Sequence, residues 1–214
     1  MKIGIIGSGD VAKTLGGGFL AKGHEVKLGT RRPEKLDEWY ASASENASVG
    51  SFGEAARFGE VVFICSSGAA ALEAIALAGA ENFAGKTVID VTNPLDFSEG
   101  VPPKFTATVG HSLGERIQNA LPEAKVVKAF NTINRTTMVD PRFGADETAT
   151  LFIAGNDEKA KAETIKLAQE FGWQDVEELG GIEQAFFLEA LASLWVNYAF
   201  KNNSWTHAFK LLKK

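Results

Sequence analysis

A short apolar strand that runs without a linker into a glycine turn and a helix narrows the folds open to this chain more than any other feature. Residues 2–6, Lys-Ile-Gly-Ile-Ile, lead at once into Gly7-Ser8-Gly9-Asp10-Val11-Ala12. Runs of this β-branched kind are buried on both faces of a parallel sheet. The G-x-G-x-x-A spacing, set between that strand and a helix expected over 11–22, is the dinucleotide fingerprint in its confirming context. Gly7 permits the tight turn, Gly9 lets the backbone approach a pyrophosphate, and Ala12 is small enough for helix and strand to pack closely. The phosphates then meet free N–H groups at the positive end of the helix dipole.

A second strand over 24–29 ends about twenty residues beyond the glycines, where an NAD site places a carboxylate on the ribose hydroxyls. Here the strand ends in Thr30-Arg31-Arg32, with Lys35 one helical turn further on. A hydroxyl and two guanidinium groups suit a 2′-phosphate, because arginine presents a fixed fork of donors to phosphate oxygens. The expectation is NADP(H); the plainer alternative makes Arg31 and Arg32 solvated charges at a helix start.

Strand and helix patterns alternate along the rest of the chain. Pro33 suits the first turn of a helix over 34–44, and a weak strand over 47–52 and a helix over 53–58 follow. The most apolar run, 61–65, ends in Ser66-Ser67-Gly68. Ligands in open α/β sheets lie beyond the carboxyl ends of the strands, so Ser66 and Ser67 are candidates to face the cofactor. Cys65 reads as a packed small hydrophobe, since no basic residue adjoins it. After an alanine-rich helix over 69–78, the strand over 86–91 ends in Thr92-Asn93-Pro94. Asn93, held extended by the following proline, is a candidate for the nicotinamide region, with a simple turn as the alternative.

Residues 96–104 read as a loop. Ser112 and Glu115 have capping-box spacing before a helix ending near 121, whose N-terminus offers an anion site. His111 beside it is a weaker acceptor-side candidate, an isolated histidine being more often a structural hydrogen-bonder. The strand over 125–130 ends in Asn131-Thr132-Ile133-Asn134, the best candidates for a second ligand's edge. A strand over 150–154, an amphipathic helix over 157–171 and a closing strand over 174–178 complete the pattern. It predicts an α/β, Rossmann-type, doubly wound and mostly parallel sheet with right-handed crossovers over 1–180, followed by a small C-terminal helical annex over 181–214. The segment 183–200 has apolar residues on more than one stripe and is expected to be buried on more than one side, by the chain's own core or by a second copy in a homodimer. The tail, 202–214, reads as a last docked helix.

The 22 basic and 27 acidic residues of the 214 leave a net charge of −5. No basic excess is present to neutralise a nucleic-acid backbone, so that class of partner is not expected. With 45% hydrophobic and 23% charged residues, neither disorder nor a membrane span is favoured. A single cysteine cannot form an internal disulfide, and no signal-peptide pattern precedes the first strand, so the cytoplasm is the expected compartment.

Taken together, GSGDVA, GHEVKLGTRRPEK, VTNPL, VVKAFNTI, LEALASLWVN and HAFKLLKK make the chain resemble the NADPH-dependent deazaflavin (coenzyme F420) reductases along nearly its whole length. The resemblance implies that Ser8, Gly9, Asp10 and Val11 contact the pyrophosphate, that Thr30, Arg31 and Lys35 hold the 2′-phosphate, and that the VTNPL and VVKAFNTI loops frame the place where nicotinamide meets a deazaflavin or flavin ring. Asn131 stands where archaeal members are expected to carry a histidine. The family is also similar to the cytosolic domain of membrane ferric reductases, which pass hydride to a flavin. Ring-to-ring hydride transfer needs positioning and no acid, base or nucleophile from the protein, which agrees with a sequence lacking a Ser-His-Asp set, metal-ligand spacing or a close carboxylate pair. The rivals are a reductase of a small imine or keto substrate and a non-catalytic NADPH sensor.

Overall fold

The computed structural model describes residues 1–144 and 147–214. Its strands, in chain order, are β1 (Lys2–Ile6), β2 (Glu25–Gly29), β3 (Ala47–Gly50), β4 (Val61–Ile64), β5 (Thr87–Asp90), the two-residue β6 (Leu95–Asp96) and β7 (Lys104–Phe105), β8 (Lys125–Lys128), β9 (Thr150–Gly155) and β10 (Asp175–Glu178). The helices are α1 (Asp10–Ala21), α2 (Asp37–Ser42), α3 (Phe52–Phe58), α4 (Ala71–Ala78), α5 (Leu113–Ala120), α6 (Arg135–Met138), α7 (Glu158–Glu170) and α8 (Ala185–Asn202). Eight strands form one sheet in the order β10-β9-β8-β5-β4-β1-β2-β3. Counted from β3, the first six are parallel throughout and reproduce the 3-2-1-4-5-6 order of a dinucleotide-binding sheet.

Alternation along the strands divides the core in two. Ile3, Ile5, Phe63, Ile89 and Val127 meet α1 and α7 on one face, while Val62, Ile64, Val88 and Val126 meet α3, α4 and α5 on the other. The expected capping box of α5 is present, Ser112 accepting from the Glu115 N–H and Glu115 from the Ser112 N–H. An unforeseen one, Ser51 with Glu54, starts α3. The region expected as one helix over 34–44 splits into a 3-10 turn, Pro33–Leu36, and α2. The loop over 96–104 is bounded by the small β6–β7 ladder.

One expectation for the C-terminal half, a last docked helix over 202–214, is corrected, and the structure adds two features that the pattern left open. β9 is antiparallel to β8: among the described residues the connection between them carries the short α6, which packs on α1, and the chain re-enters the sheet from its carboxyl edge instead of crossing a face. The register pairs Lys128 with Ala154, so the first residues of β9 project beyond β8. The tail is not a helix: α8 ends at Asn203 in the left-handed region (φ 46°), and the tail runs along this projection. There the Thr150 N–H donates to the Phe209 carbonyl (3.0 Å), the Leu211 N–H to Thr150 Oγ1 (2.9 Å), and Lys210 pairs with Asp175 (2.6 Å). A projecting strand edge leaves backbone groups without a sheet partner, and the tail supplies one. α8 is buried by the chain's own core along one stripe, Ala185, Leu188, Glu189, Ala192, Trp195 and Ala199, and Phe187, Leu194 and Tyr198 are exposed on the face that a second copy would cover.

Candidate functional site

The crossovers leaving β1 and β4 diverge at their carboxyl ends, opening a cleft of about 240 Å³ at this switch point. Gly7, Ser8, Gly9, Thr30, Arg31, Arg32, Lys35, Ser66 and Ser67, nine of the twelve expected cofactor residues, line it. The two fingerprint glycines differ in kind. Gly7 has φ 151°, and a Cβ there would lie 2.8 Å from the Cys65 carbonyl oxygen, so the fold itself demands glycine. Gly9 has an ordinary φ of −82°, and a Cβ there would meet nothing within 4 Å. The space it leaves lies over the N-terminus of α1, which no side chain caps. This open cradle of free N–H groups fits a pyrophosphate.

Thr30 joins the two halves of the cleft: its hydroxyl donates to Ser8 Oγ (3.1 Å) and accepts from the Arg32 N–H (3.1 Å). Arg31 is paired with Glu73 of α4 (2.7 Å), a carboxylate from the opposite wall that sequence reasoning missed. Asp10, at the start of α1, has its carboxylate 3.8 Å from Arg135 Nε, a second unforeseen charge, brought in by α6. At the end of β4 the Ser66 hydroxyl is buried without a hydrogen-bond partner among the described residues. Burial and the neighbouring Asp90 push the Cys65 thiol far above its usual range, which keeps it an inert packed group.

Cys65, Ser66 and Ser67 are shared with a second cleft, of about 350 Å³, that also takes in Val11, Asn93 and Phe97. The two clefts adjoin at these three residues, along the carboxyl edges of β1, β4 and β5. Asn93 is held in place, its amide donating to the Asn131 carbonyl (2.8 Å) and its Oδ1 accepting from Asn131 Nδ2 (2.9 Å). Asn131 Nδ2 also donates to the Leu188 carbonyl of α8 (3.0 Å). Phe130, the residue before Asn131, is fully buried in the left-handed region (φ 61°), a conformation that costs a non-glycine residue about 1–3 kcal/mol. Asn131 is therefore a bracket between two strand ends and α8, its side-chain Oδ1 unpartnered among the described residues. Thr132 is buried beside it, and His111 is exposed; neither lines either cleft.

Beneath this edge lies a charge cluster that sequence reasoning did not find. Lys128, Asp90 and Glu189 are all fully buried. Lys128 Nζ donates to Asp90 Oδ2 (2.9 Å) and the Thr92 carbonyl (2.6 Å), and lies 2.9 Å from Glu189 Oε1. All three ammonium protons thus have acceptors. Burial works against the Lys128 charge, but Asp90 and Glu189 outweigh it and hold the ammonium above the usual lysine range. The Glu189 carboxylate in turn accepts the N–H groups of Leu113 (3.0 Å) and Gly114 (2.9 Å). The N-terminus of α5, expected to be open to an anion, is filled by the chain's own side chain. The clue in the sequence was a lone charge near the end of each of two apolar strands, Asp90 and Lys128; that the two face each other is a property of the folded sheet. Among the described residues there is no His/Cys/Asp/Glu group fit to hold a metal ion and no helix long and apolar enough to cross a membrane.

Comparison with known proteins agrees with this geometry. A family model described as NADP oxidoreductase coenzyme F420-dependent matches residues 2–94. The F420-dependent NADP reductase of Methanocaldococcus jannaschii is 29% identical over 95% of this chain and 95% of its own length. Metalloreductase STEAP3 of Rattus norvegicus is 29% identical over 89% of this chain, which spans only 36% of that longer protein. A crystal structure from Arthrobacter sp. FB24, itself provisionally described as an F420-dependent NADP reductase, is 39% identical with a TM-score of 0.94, covering 100% of both chains. On the strength of that full-length match and the shared switch-point architecture, the chain belongs to the coenzyme F420-dependent NADP oxidoreductase family.

Proposed function

We propose that the chain transfers hydride directly between NADP(H) and the ring of a deazaflavin, coenzyme F420, or of a flavin. The observation that carries this reading is the pair of adjoining clefts, the glycine turn and basic residues lining one and the second lying over β4 and β5. NADP(H) bound there supplies the hydride chemistry. The chain's own residues bind and orient. Gly9 and the free N–H groups of α1 receive the pyrophosphate, and Thr30, Arg31, Arg32 and Lys35 receive the 2′-phosphate. Ser66 offers an unpaired hydroxyl between the two clefts, where a carboxamide or ribose would satisfy it. Asn93, braced by Asn131, forms part of the wall against which the two rings would be held at near-attack distance, about 3–3.5 Å.

The relatives' names favour different acceptors, F420 for the full-length ones and a metal for the longer reductases. The test is therefore NADPH oxidation measured side by side against F420, FMN, FAD and ferric chelates. Turnover with a deazaflavin or flavin is expected. Turnover only with small imines or ketones would move the reading to that class of reductase, and tight NADPH binding with no multiple-turnover oxidation would make the protein a sensor.

A further inference from the structure

We propose that Glu73 tunes cofactor selectivity by competing with the 2′-phosphate for Arg31. This rests on the NADP(H) reading above and adds a residue that the glycine fingerprint and the Thr30-Arg31-Arg32 strand end do not contain. The end of β2 lacks the carboxylate that an NAD site carries, yet the folded cleft has one. Glu73 lies in the first turn of α4, where its charge suits the helix dipole, and reaches across to Arg31 Nη1 at 2.7 Å. Both residues line the cleft together with Thr30, Arg32 and Lys35. Arg32 and Lys35 make no ion pair among the described residues and can meet a phosphate at once. Arg31 holds Glu73 on Nη1, so a phosphate that takes that nitrogen displaces the carboxylate.

The pair is 55% and 58% exposed, so it is a weak latch. Exposed ion pairs are worth up to about 1 kcal/mol, which corresponds to roughly a five-fold change in affinity. A nucleotide without a 2′-phosphate leaves the latch closed and pays nothing for it. Glu73 thereby lowers the preference for NADP(H) below what the basic residues alone would set.

The measurement is calorimetric binding of 2′,5′-ADP and 5′-AMP to the whole chain at low ionic strength, for the natural protein, Glu73→Gln, Arg31→Gln and the double variant. Glu73→Gln is expected to tighten 2′,5′-ADP roughly three- to five-fold and to leave 5′-AMP within about two-fold, with the melting temperature lowered by no more than about 4 °C. In the Arg31→Gln background the gain should shrink markedly. Unchanged or weaker 2′,5′-ADP binding, equal tightening of both nucleotides, or the same gain without Arg31 would each overturn the proposal while leaving the NADP(H) reading intact. A natural protein that binds 2′,5′-ADP no better than 5′-AMP would defeat that reading, and this inference with it.

Discussion

Replacing Lys128 by methionine tests how the acceptor side of the paired clefts is held. The substitution keeps the length of the side chain and removes its charge, leaving Asp90 and Glu189 fully buried without their shared cation. Each contact is 2.9 Å long, which at an effective dielectric constant of about 20 is an attraction of roughly 6 kcal/mol. Desolvation of three buried ions costs several kcal/mol apiece and cancels most of that gain, so the intact cluster contributes little net stability. Breaking it is another matter, since both carboxylates lose their partner and stay buried. The expected cost of Lys128→Met is about 3–5 kcal/mol, or roughly 6–20 °C in melting temperature for a chain of this size. The triple variant Lys128→Met, Asp90→Asn, Glu189→Gln removes every charge and should recover at least half of the loss. Thermal and urea unfolding followed by circular dichroism measure both. Because the folded state raises the Lys128 pKa, its stabilisation is fully present below the unfolded lysine value, about 10.4, and is lost only as pH rises through the higher folded value. The gap between natural protein and Lys128→Met should therefore stay open from neutral pH to about pH 10 and narrow above it. A single variant within 1 kcal/mol of the natural protein, or a triple variant no better than the single one, would refute this account.

The glycines offer a paired experiment: Gly9→Ala should leave the melting temperature unchanged and weaken NADPH binding about ten-fold or more by filling the pyrophosphate cradle, whereas Gly7→Ala should destabilise the fold by about 1–3 kcal/mol. Nucleotide titration and thermal melts distinguish the two, and equal behaviour would sink the distinction. Arg31→Asp should sharply reduce the ratio of kcat/KM for NADPH over NADH; an unchanged ratio would remove Arg31 from the 2′-phosphate site. Asn131→Ala breaks the bracket among Asn93, Leu188 and the end of β8, and is expected to cost about 1–3 kcal/mol and impair acceptor turnover. Loss of NADPH affinity with normal acceptor kinetics would contradict that placement. Finally, if the exposed Phe187, Leu194 and Tyr198 face of α8 pairs with a second copy, light scattering after size exclusion should give twice 22.9 kDa, and Leu194→Glu should return the 22.9 kDa species. A natural protein already at 22.9 kDa would end the dimer reading.

Local patterns made much of the fold legible. Ile3 to Ile6 and Val61 to Ile64 could only be central strands, because continuous β-branched runs need cover on both faces, and both became fully buried. Gly7, Gly9 and Thr30 to Arg32 were readable because a glycine turn and the strand after it are close in sequence and meet in space through one crossover. The direction of β9 was not readable, since it depends on whether a twenty-residue connection crosses the sheet, and nothing in Thr150 to Gly155 itself records that. The tail misled for a related reason: its spaced aromatics suited a helix, but the unpaired projection of β9 offered backbone partners that no local pattern announces.

The strand-turn-helix unit, the sheet class and the glycine-turn, basic character of the first cleft are written in the order of the residues. Those depend on periodicity, glycine stereochemistry and charge within some thirty neighbouring residues. Which charges answer one another is a property of the folded chain: Glu73 with Arg31, Asp10 with Arg135, and Lys128 with Asp90 and Glu189. These partners are separated by forty residues or more, apart from Asp90 and Lys128 at thirty-eight, and a carboxylate has no preferred partner in sequence. Its partner is set by which strand ends and helix termini the finished sheet brings within a few ångströms, where Coulomb attraction and the cost of an unpaired buried charge become large.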